Sequence, residues 1–317
     1  MSELIDLLEG KQTEVRIGEY GLVAIMDCMP RLVKPGKTMD HALTQAARTS
    51  YGQHEKEAPP KEDRTLVRYL MRHAHTTPIE MGVFKFYMAL PIFVARQLVR
   101  HRMSTLNEYS MRYKEPKDEC FIPEASEIRK QSKTNKQGSE GQVDDATADE
   151  FTQLTRETFE TAMTNYKRAL EMGIGKEQAR INLPVSTFTY WVWKVDLHNL
   201  LRTLSLRMHG HAQKEIRDYG QAFYDLIKPL SPWAVEAFDD YDMRRGATLL
   251  TRLDCEIISL AQNGPTDELA INQAREWGWF EKDDDGKLKP VRERQECEAK
   301  LRKLLIPIPW ARFGDNV

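Results

Sequence analysis

The chain has no paired-cysteine motif. Its four cysteines, Cys28, Cys120, Cys255 and Cys297, are scattered through 317 residues with no CxxC among them. That spacing argues against a disulfide scaffold and a structural zinc site, and it fits a reducing cytoplasm. No apolar run approaches the ~18 residues of a membrane-spanning helix. The opening residues, MSELIDLLEGKQTEVR, are acidic and lack a signal-peptide core, so a cytoplasmic protein without membrane association is expected. There is no GxGxxG of the dinucleotide-binding kind, and the GIGK at Gly173 to Lys176 lacks the upstream glycine of a phosphate loop. Neither charge dominates. Lys and Arg number 46 against 48 Asp and Glu, a formal balance of −2, which argues against a dedicated nucleic-acid binder. What is present is ordinary for a globular protein, 41% hydrophobic and 30% charged, and long enough for one elaborated domain or a domain plus an extension.

Along the chain, VRIGEYGLVAIMDC (15–28) reads as two short strands around Gly18 to Gly21. Thr38 to Thr49 has helical spacing through Met39, Ala42, Leu43 and Ala46 and leaves Ser50 exposed just past its end. Asp63 is read as the cap of a second helix. His73, His75 and Glu80 follow; zinc needs three or four convergent ligands, the sequence offers no obvious set, and no metal is expected. MGVFKFYMALP is apolar on both faces, the mark of a central strand. Residues 129–150 hold one large aliphatic, Val143, and are expected to form a mobile loop. A long helix is expected from about Asp149 to Met172. VSTFTYWVWKV reads as a strand, with Phe188, Tyr190, Trp191 and Trp193 in the sheet core. Asp196 is read as the cap of the helix DLHNLLRTLSLRMHGH. The fold class expected is α/β (α+β), a central, largely antiparallel sheet flanked by helices. The division expected is 1–229 for the main domain and 230–317 for a helical C-terminal extension.

One stretch stands out. Arg96 to Tyr113, RQLVRHRMSTLNEYSMRY, carries four arginines and one acid, a local balance of 4 − 1 = +3. A helix from Ile92 to about Arg102 would put Arg96 and Arg100 one turn apart, where like charges repel by about 0.2–0.5 kcal/mol. Ser104, Thr105, Asn107 and Ser110 add hydroxyl and amide groups. Guanidinium forks with hydroxyls are suited to holding phosphate. A solvated helix end is the simpler reading, since helix C-termini favour cations.

Arg100 to Tyr113 resembles the signature RHRxxSxNExSxRY of the flavin-dependent thymidylate synthases, with Thr105 in place of the first Ser. The likeness extends over roughly Tyr20 to Leu226 through the ARTSYG, HxHTTPxE, PIFVARQxxRHR, ARxxLP and DLHNLL…LR…HAQ-EI blocks. It departs at Arg202, Gly210 and Lys214. The resemblance implies an enzyme that makes dTMP from dUMP, with methylene-tetrahydrofolate supplying the carbon, reduced FAD the hydride, and NADPH or a similar donor reducing the flavin. It implies a homotetramer whose active sites draw on several subunits. Carried over residue by residue, dUMP would be held by Gln97, Leu98, Val99, Arg100, Glu108, Ser110, Met111, Arg112, Arg180 and Arg207. FAD would be held by Ser50, His75, Thr77, Glu80, Arg100, His101, Arg102, Glu108, Asp196, Leu197, His198 and Arg202. Arg207 would be the catalytic cation, because a guanidinium beside uracil N3 stabilises the anion that develops as carbon 5 becomes nucleophilic. Two other classes use the same residues. One is an RNA- or single-strand-binding module stacking bases on Tyr109 and Tyr113, and the other is a different nucleotide-modifying flavoenzyme.

Overall fold

The computed structural model describes residues 4–132, 138–242, 247–262 and 267–311. The chain divides into a large unit reaching residue 246 and a small one from residue 247. In the large unit, β1 (Ile5–Asp6) pairs with β4 (Leu32–Val33). The main sheet is built from β2 (Glu14–Ile17), β3 (Gly21–Met29), β5 (Val83–Pro91), β6 (Thr105–Glu108) and β9 (Phe188–Asp196). Its order is β2-β3-β5-β9-β6, and every pairing in it is antiparallel.

The central strand expected at MGVFKFYMALP is β5, third of five. Its alternation sorts two cores. Phe84, Phe86, Met88 and Leu90 are fully buried on one face with Trp191, Trp193 and Val195 of β9. Ala89 lies on the other face with Phe188 and Tyr190, under Tyr20, Tyr87 and Tyr109. The first face is closed by α7 (Leu197–Arg207) and α8 (Lys214–Ile227). Phe223 of α8 packs edge-on against Phe86 at 4.9 Å. Burying a side chain of this size contributes about 1.5–3 kcal/mol, and an aromatic pair about 0.5–1.5 kcal/mol more. Tyr219 of α8 donates to the Ala89 carbonyl at 2.7 Å, fixing the helix along the strand.

Helix α1 (Met39–Thr49) starts where the sequence predicts, and α2 (Pro60–Arg72) starts earlier than expected. Asp63 is not its cap. It lies inside the helix, 3% exposed, with Arg48 Nη1 2.6 Å away. A buried carboxylate needs a partner, and this one comes from α1. Asp40 of α1 is also buried, accepting from Ser231 Oγ at 2.5 Å, Trp233 N at 2.8 Å and Ala234 N at 3.2 Å. Burial pushes its carboxyl up to about 6 against those hydrogen bonds. The bonds tie α9 (Pro232–Tyr241) to α1, so the large unit runs past residue 229, where the main domain was expected to end.

The expected mobile loop is corrected in its described part. Strands β7 (Arg129–Gln131) and β8 (Ser139–Gln142) pair as an antiparallel hairpin, and α5 (Asp145–Glu171) begins inside the expected loop. Asp144 caps α5, accepting from Thr147 N at 3.0 Å. Residues 133–137 of that stretch lie outside the described residues. The chain then restarts as α6 (Lys176–Ala179) after Gly173, whose φ of +80° suits a helix stop.

The small unit has its own core. Helices α10 (Arg252–Gln262), α11 (Asp267–Glu276) and α12 (Arg292–Lys303) enclose Ile257, Ala274, Trp279, Cys297 and Leu301. Asp254 is buried there and held by Lys300 Nζ at 2.6 Å. Asp283 shapes a surface turn by accepting from Asp285 N and Lys287 N. Among its described residues the small unit is mainly helical.

Candidate active site

The arginine-rich stretch folds differently from its expected helix. Helix α4 (Ile92–Leu98) is two turns long and ends with Val99 as its cap. Arg100 therefore leaves the helix and is not stacked one turn above Arg96. The chain turns, with Ser104 Oγ donating to the His101 carbonyl at 2.8 Å, and enters β6 at the sheet edge. The charged segment is thus anchored at both ends by the sheet, through β5 and β6.

Arg207, the last residue of α7, reaches this turn. Its Nε donates to His101 Nε2 at 2.9 Å and its Nη2 to the Gln97 carbonyl at 2.8 Å. Gln97 Nε2 in turn donates to Gln213 Oε1 at 2.6 Å. Burial, then Arg207 and Arg202, push His101 down to about 4, so it is a neutral imidazole whose Nε2 lone pair accepts. Burial, then Arg100, lower the Arg207 pKa from its ordinary value, but an arginine keeps its proton. No acid among the described residues pairs with Arg207. The result is a half-buried guanidinium, held by two uncharged acceptors, with donors to spare.

A second group forms where the chain leaves β6. Arg112 Nη2 lies 3.2 Å from Glu177 Oε2, both well exposed. Arg180 Nε donates to the Glu177 carbonyl at 3.4 Å, and Ser110 Oγ accepts from Arg112 N at 3.4 Å. Glu108 Oε1 accepts from Thr189 Oγ1 at 2.7 Å across to β9. Among the described residues no hydrogen bond or ion pair links this group with that of Arg207. Leu98 and Met111 are buried and offer a ligand only their backbone; Val99 is exposed.

Five of the residues expected to hold flavin, Ser50, His75, Thr77, His198 and Arg202, line two clefts that share Leu70, Ala74, His75 and Thr76. One, of about 670 Å³, is lined by Ser50, His75 and Thr77 with Tyr51 and Tyr69. The other, of about 340 Å³, is lined by His75, His198 and Arg202. Short α3 (Thr77–Glu80) sets Thr77 at the cleft, and the Tyr69 ring lies tilted against His73 at 4.4 Å. Arg202 also faces His101 electrostatically, which connects this region with Arg207. Glu80, Arg100 and Arg102 line neither cleft. Asp196 spends both carboxylate oxygens on Asn199, at 2.9 and 2.8 Å, as the cap of α7, and Leu197 is fully buried. Aromatic and imidazole walls with Arg48, Arg202 and the hydroxyls of Ser50, Thr76 and Thr77 fit a flat, anionic cofactor such as FAD. Burial raises the thiols of Cys28, to about 11, and of Cys120, so neither is a thiolate nucleophile at neutral pH.

Residues 31–233 match the family model described as "Thymidylate synthase complementing protein". A flavin-dependent thymidylate synthase of Dictyostelium discoideum is 46% identical over 257 residues, covering 81% of this chain and 83% of that one. The chain belongs to the flavin-dependent thymidylate synthase family. A Thermus thermophilus member is also 46% identical, over 234 residues, covering 74% of this chain and 81% of that one. Among solved structures, a UMP/dUMP methylase, PolB, of Streptomyces cacaoi bound with 5-Br dUMP aligns at a TM-score of 0.64 and 28% identity. The match covers 74% of this chain and all of that one. Family membership decides among the three classes the arginines left open. It also frames what sequence reasoning missed. Gln213, inside the HAQ block, was readable as part of a motif but not as the partner of Gln97. Nothing local in the sequence marks Glu177 as the partner of Arg112. Lys214, a departure from the family pattern, is accounted for by ion pairs to Glu127 at 2.5 Å and Asp218 at 2.8 Å.

Proposed function

We propose that this chain makes dTMP from dUMP, using methylene-tetrahydrofolate as carbon donor and an NADPH-type reductant, as a homotetramer in a reducing compartment such as the cytoplasm. The observation that carries the reading is Arg207, a preorganised cation with no acid partner at the end of a core helix. Placed beside uracil N3 and its flanking carbonyls, it stabilises negative charge as the ring becomes nucleophilic at carbon 5. Such a donor acts without reorganising at the moment of reaction. Gln97 holds Arg207 through its carbonyl and presents its amide near the same place. Arg112, Ser110 and Arg180 hold the phosphate. His75, Ser50, Thr77, His198 and Arg202 hold FAD, and bound FAD, when reduced, supplies the hydride. Four free cysteines support a reducing compartment.

The test is dTMP formation by the purified chain with dUMP, methylene-tetrahydrofolate, FAD and NADPH, together with the flavin absorption of the protein. Folded, flavin-bound protein that turns over no dUMP overturns the reading.

A further inference from the structure

A separate cleft of about 300 Å³ opens beside the start of α8. Arg129, His211, Gln213, Lys214 and Arg217 line it, with Ser139 of the hairpin opposite. Lys214 is neutralised by Glu127 and Asp218. Arg129 and Arg217 are not: no acid among the described residues pairs with either. Arg217 Nε is buried without a hydrogen-bond partner, so this guanidinium carries an unmet donor, a state that costs free energy unless something accepts from it. Arg129 comes from the hairpin and Arg217 from α8, so two elements with no sequence proximity aim unneutralised forks into one cavity. The cavity is also joined to the Arg207 site, because Gln213 lines it and bonds Gln97.

We infer that this cleft binds the anionic tail of a co-substrate whose reacting end sits at Arg207. The chemistry it recognises is a pair of spaced anionic groups, one per guanidinium. Two sources carry such groups under the proposed reaction: the carboxylates of an oligo-γ-glutamyl chain on the folate, and the phosphates of NADPH. Neither arginine belongs to the residues assigned to dUMP or FAD.

The inference rests on the proposed reaction, and the experiment separates the two. With flavin-loaded full-length protein, KM is measured for monoglutamyl and pentaglutamyl methylene-tetrahydrofolate and for NADPH and NADH. The unaltered chain is compared with Arg129→Gln, Arg217→Gln and the double variant. Arg129 is exposed on the hairpin, so its variant reports even where Arg217→Gln folds poorly. Loss of one charge-assisted contact predicts about a tenfold rise in KM for the ligand concerned, with kcat and the KM for dUMP unchanged. A rise confined to the pentaglutamate assigns the cleft to the folate tail, and a rise confined to NADPH assigns it to the phosphates. Variants that match the parent on all four probes overturn the inference and leave the proposed reaction intact. A parent chain that makes no dTMP overturns the proposed reaction itself, and with it the basis for the cleft's ligand.

Discussion

Arg207 and Arg112 are the same side chain in opposite settings. Arg207 is half-buried and held by an imidazole and a carbonyl, neither charged. Arg112 is 54% exposed and held by Glu177, which is 60% exposed. Uncharged acceptors orient a guanidinium without cancelling its charge, while a carboxylate cancels it and must be displaced before another anion binds. The first arrangement suits stabilising charge that appears only during reaction. The second suits capturing a phosphate that arrives already charged, with Glu177 filling its place beforehand.

The contrast breaks most sharply at Arg207. We predict that Arg207→Ala lowers kcat for dTMP formation about 100-fold or more, the usual effect of removing a preorganised donor of ~2.7–4 kcal/mol. Flavin content and fold should be retained. Arg207→Lys should rescue only in part, because an ammonium cannot span two acceptors. Near-normal kcat with weakened dUMP binding would make Arg207 a binding residue and place ring activation elsewhere.

His101 is next. If its neutral Nε2 positions Arg207, His101→Phe should lower kcat about 10- to 100-fold, the range for losing a hydrogen bond to a charged group. His101→Gln, which restores an acceptor, should recover part of that. Flavin content is measured in parallel, and a loss of kcat that follows flavin loss alone would assign His101 to the cofactor. The pH dependence has a fixed sign. The folded value, about 4, lies below the ordinary 6.5. The His101 contribution to stability is therefore fully present above pH ~6.5. It is lost as pH falls from there towards ~4, because the unfolded chain takes up the proton that the folded one refuses. His101→Gln should flatten that part of a stability-versus-pH curve, and an unchanged curve would contradict the assignment.

The Glu177 prediction is smaller. Exposed ion pairs are worth about 0.2–1 kcal/mol, so Glu177→Gln should tighten dUMP binding by up to about fivefold at low salt, and less as salt rises. Weaker binding would mean that Glu177 helps hold the nucleotide. The smallest effect is expected from the thiols. Cys28 and Cys297 are pushed up to about 11 and 12 by burial. A chain with all four cysteines replaced by Ser or Ala should keep turnover wherever it folds.

How much of this was legible follows from what each signal depends on. The strands around Phe86 and Trp193 and the cap at Asp196 are local patterns, and they read correctly. The end of α4 at Leu98 did not, because it is set by the pairing of Thr105–Glu108 with Trp191–Lys194, nearly ninety positions away. The β7–β8 hairpin was invisible because all its strand residues are exposed, which leaves no apolar alternation to detect. Asp63 looked like a cap because its partner, Arg48, lies on another helix. The residues proposed for the dUMP and flavin sites come from resemblance, and the bond from Arg207 to His101 was not readable, since neither residue's neighbours imply the other.

Asp40 carries a consequence for how the chain is made. It leaves the ribosome 191 residues ahead of Ser231, an interval of about 10–40 s at ~5–20 residues per second. During that interval α1 carries a carboxylate whose native donors do not yet exist, so it stays hydrated and the surface around it cannot close dry. The donors to Asp40 appear only when Ser231, Trp233 and Ala234 have been synthesised. The junction of α1 with α9 is therefore the last of α1's contacts to form, and a nascent chain that stalled before α9 would leave the Asp40 carboxylate exposed to solvent.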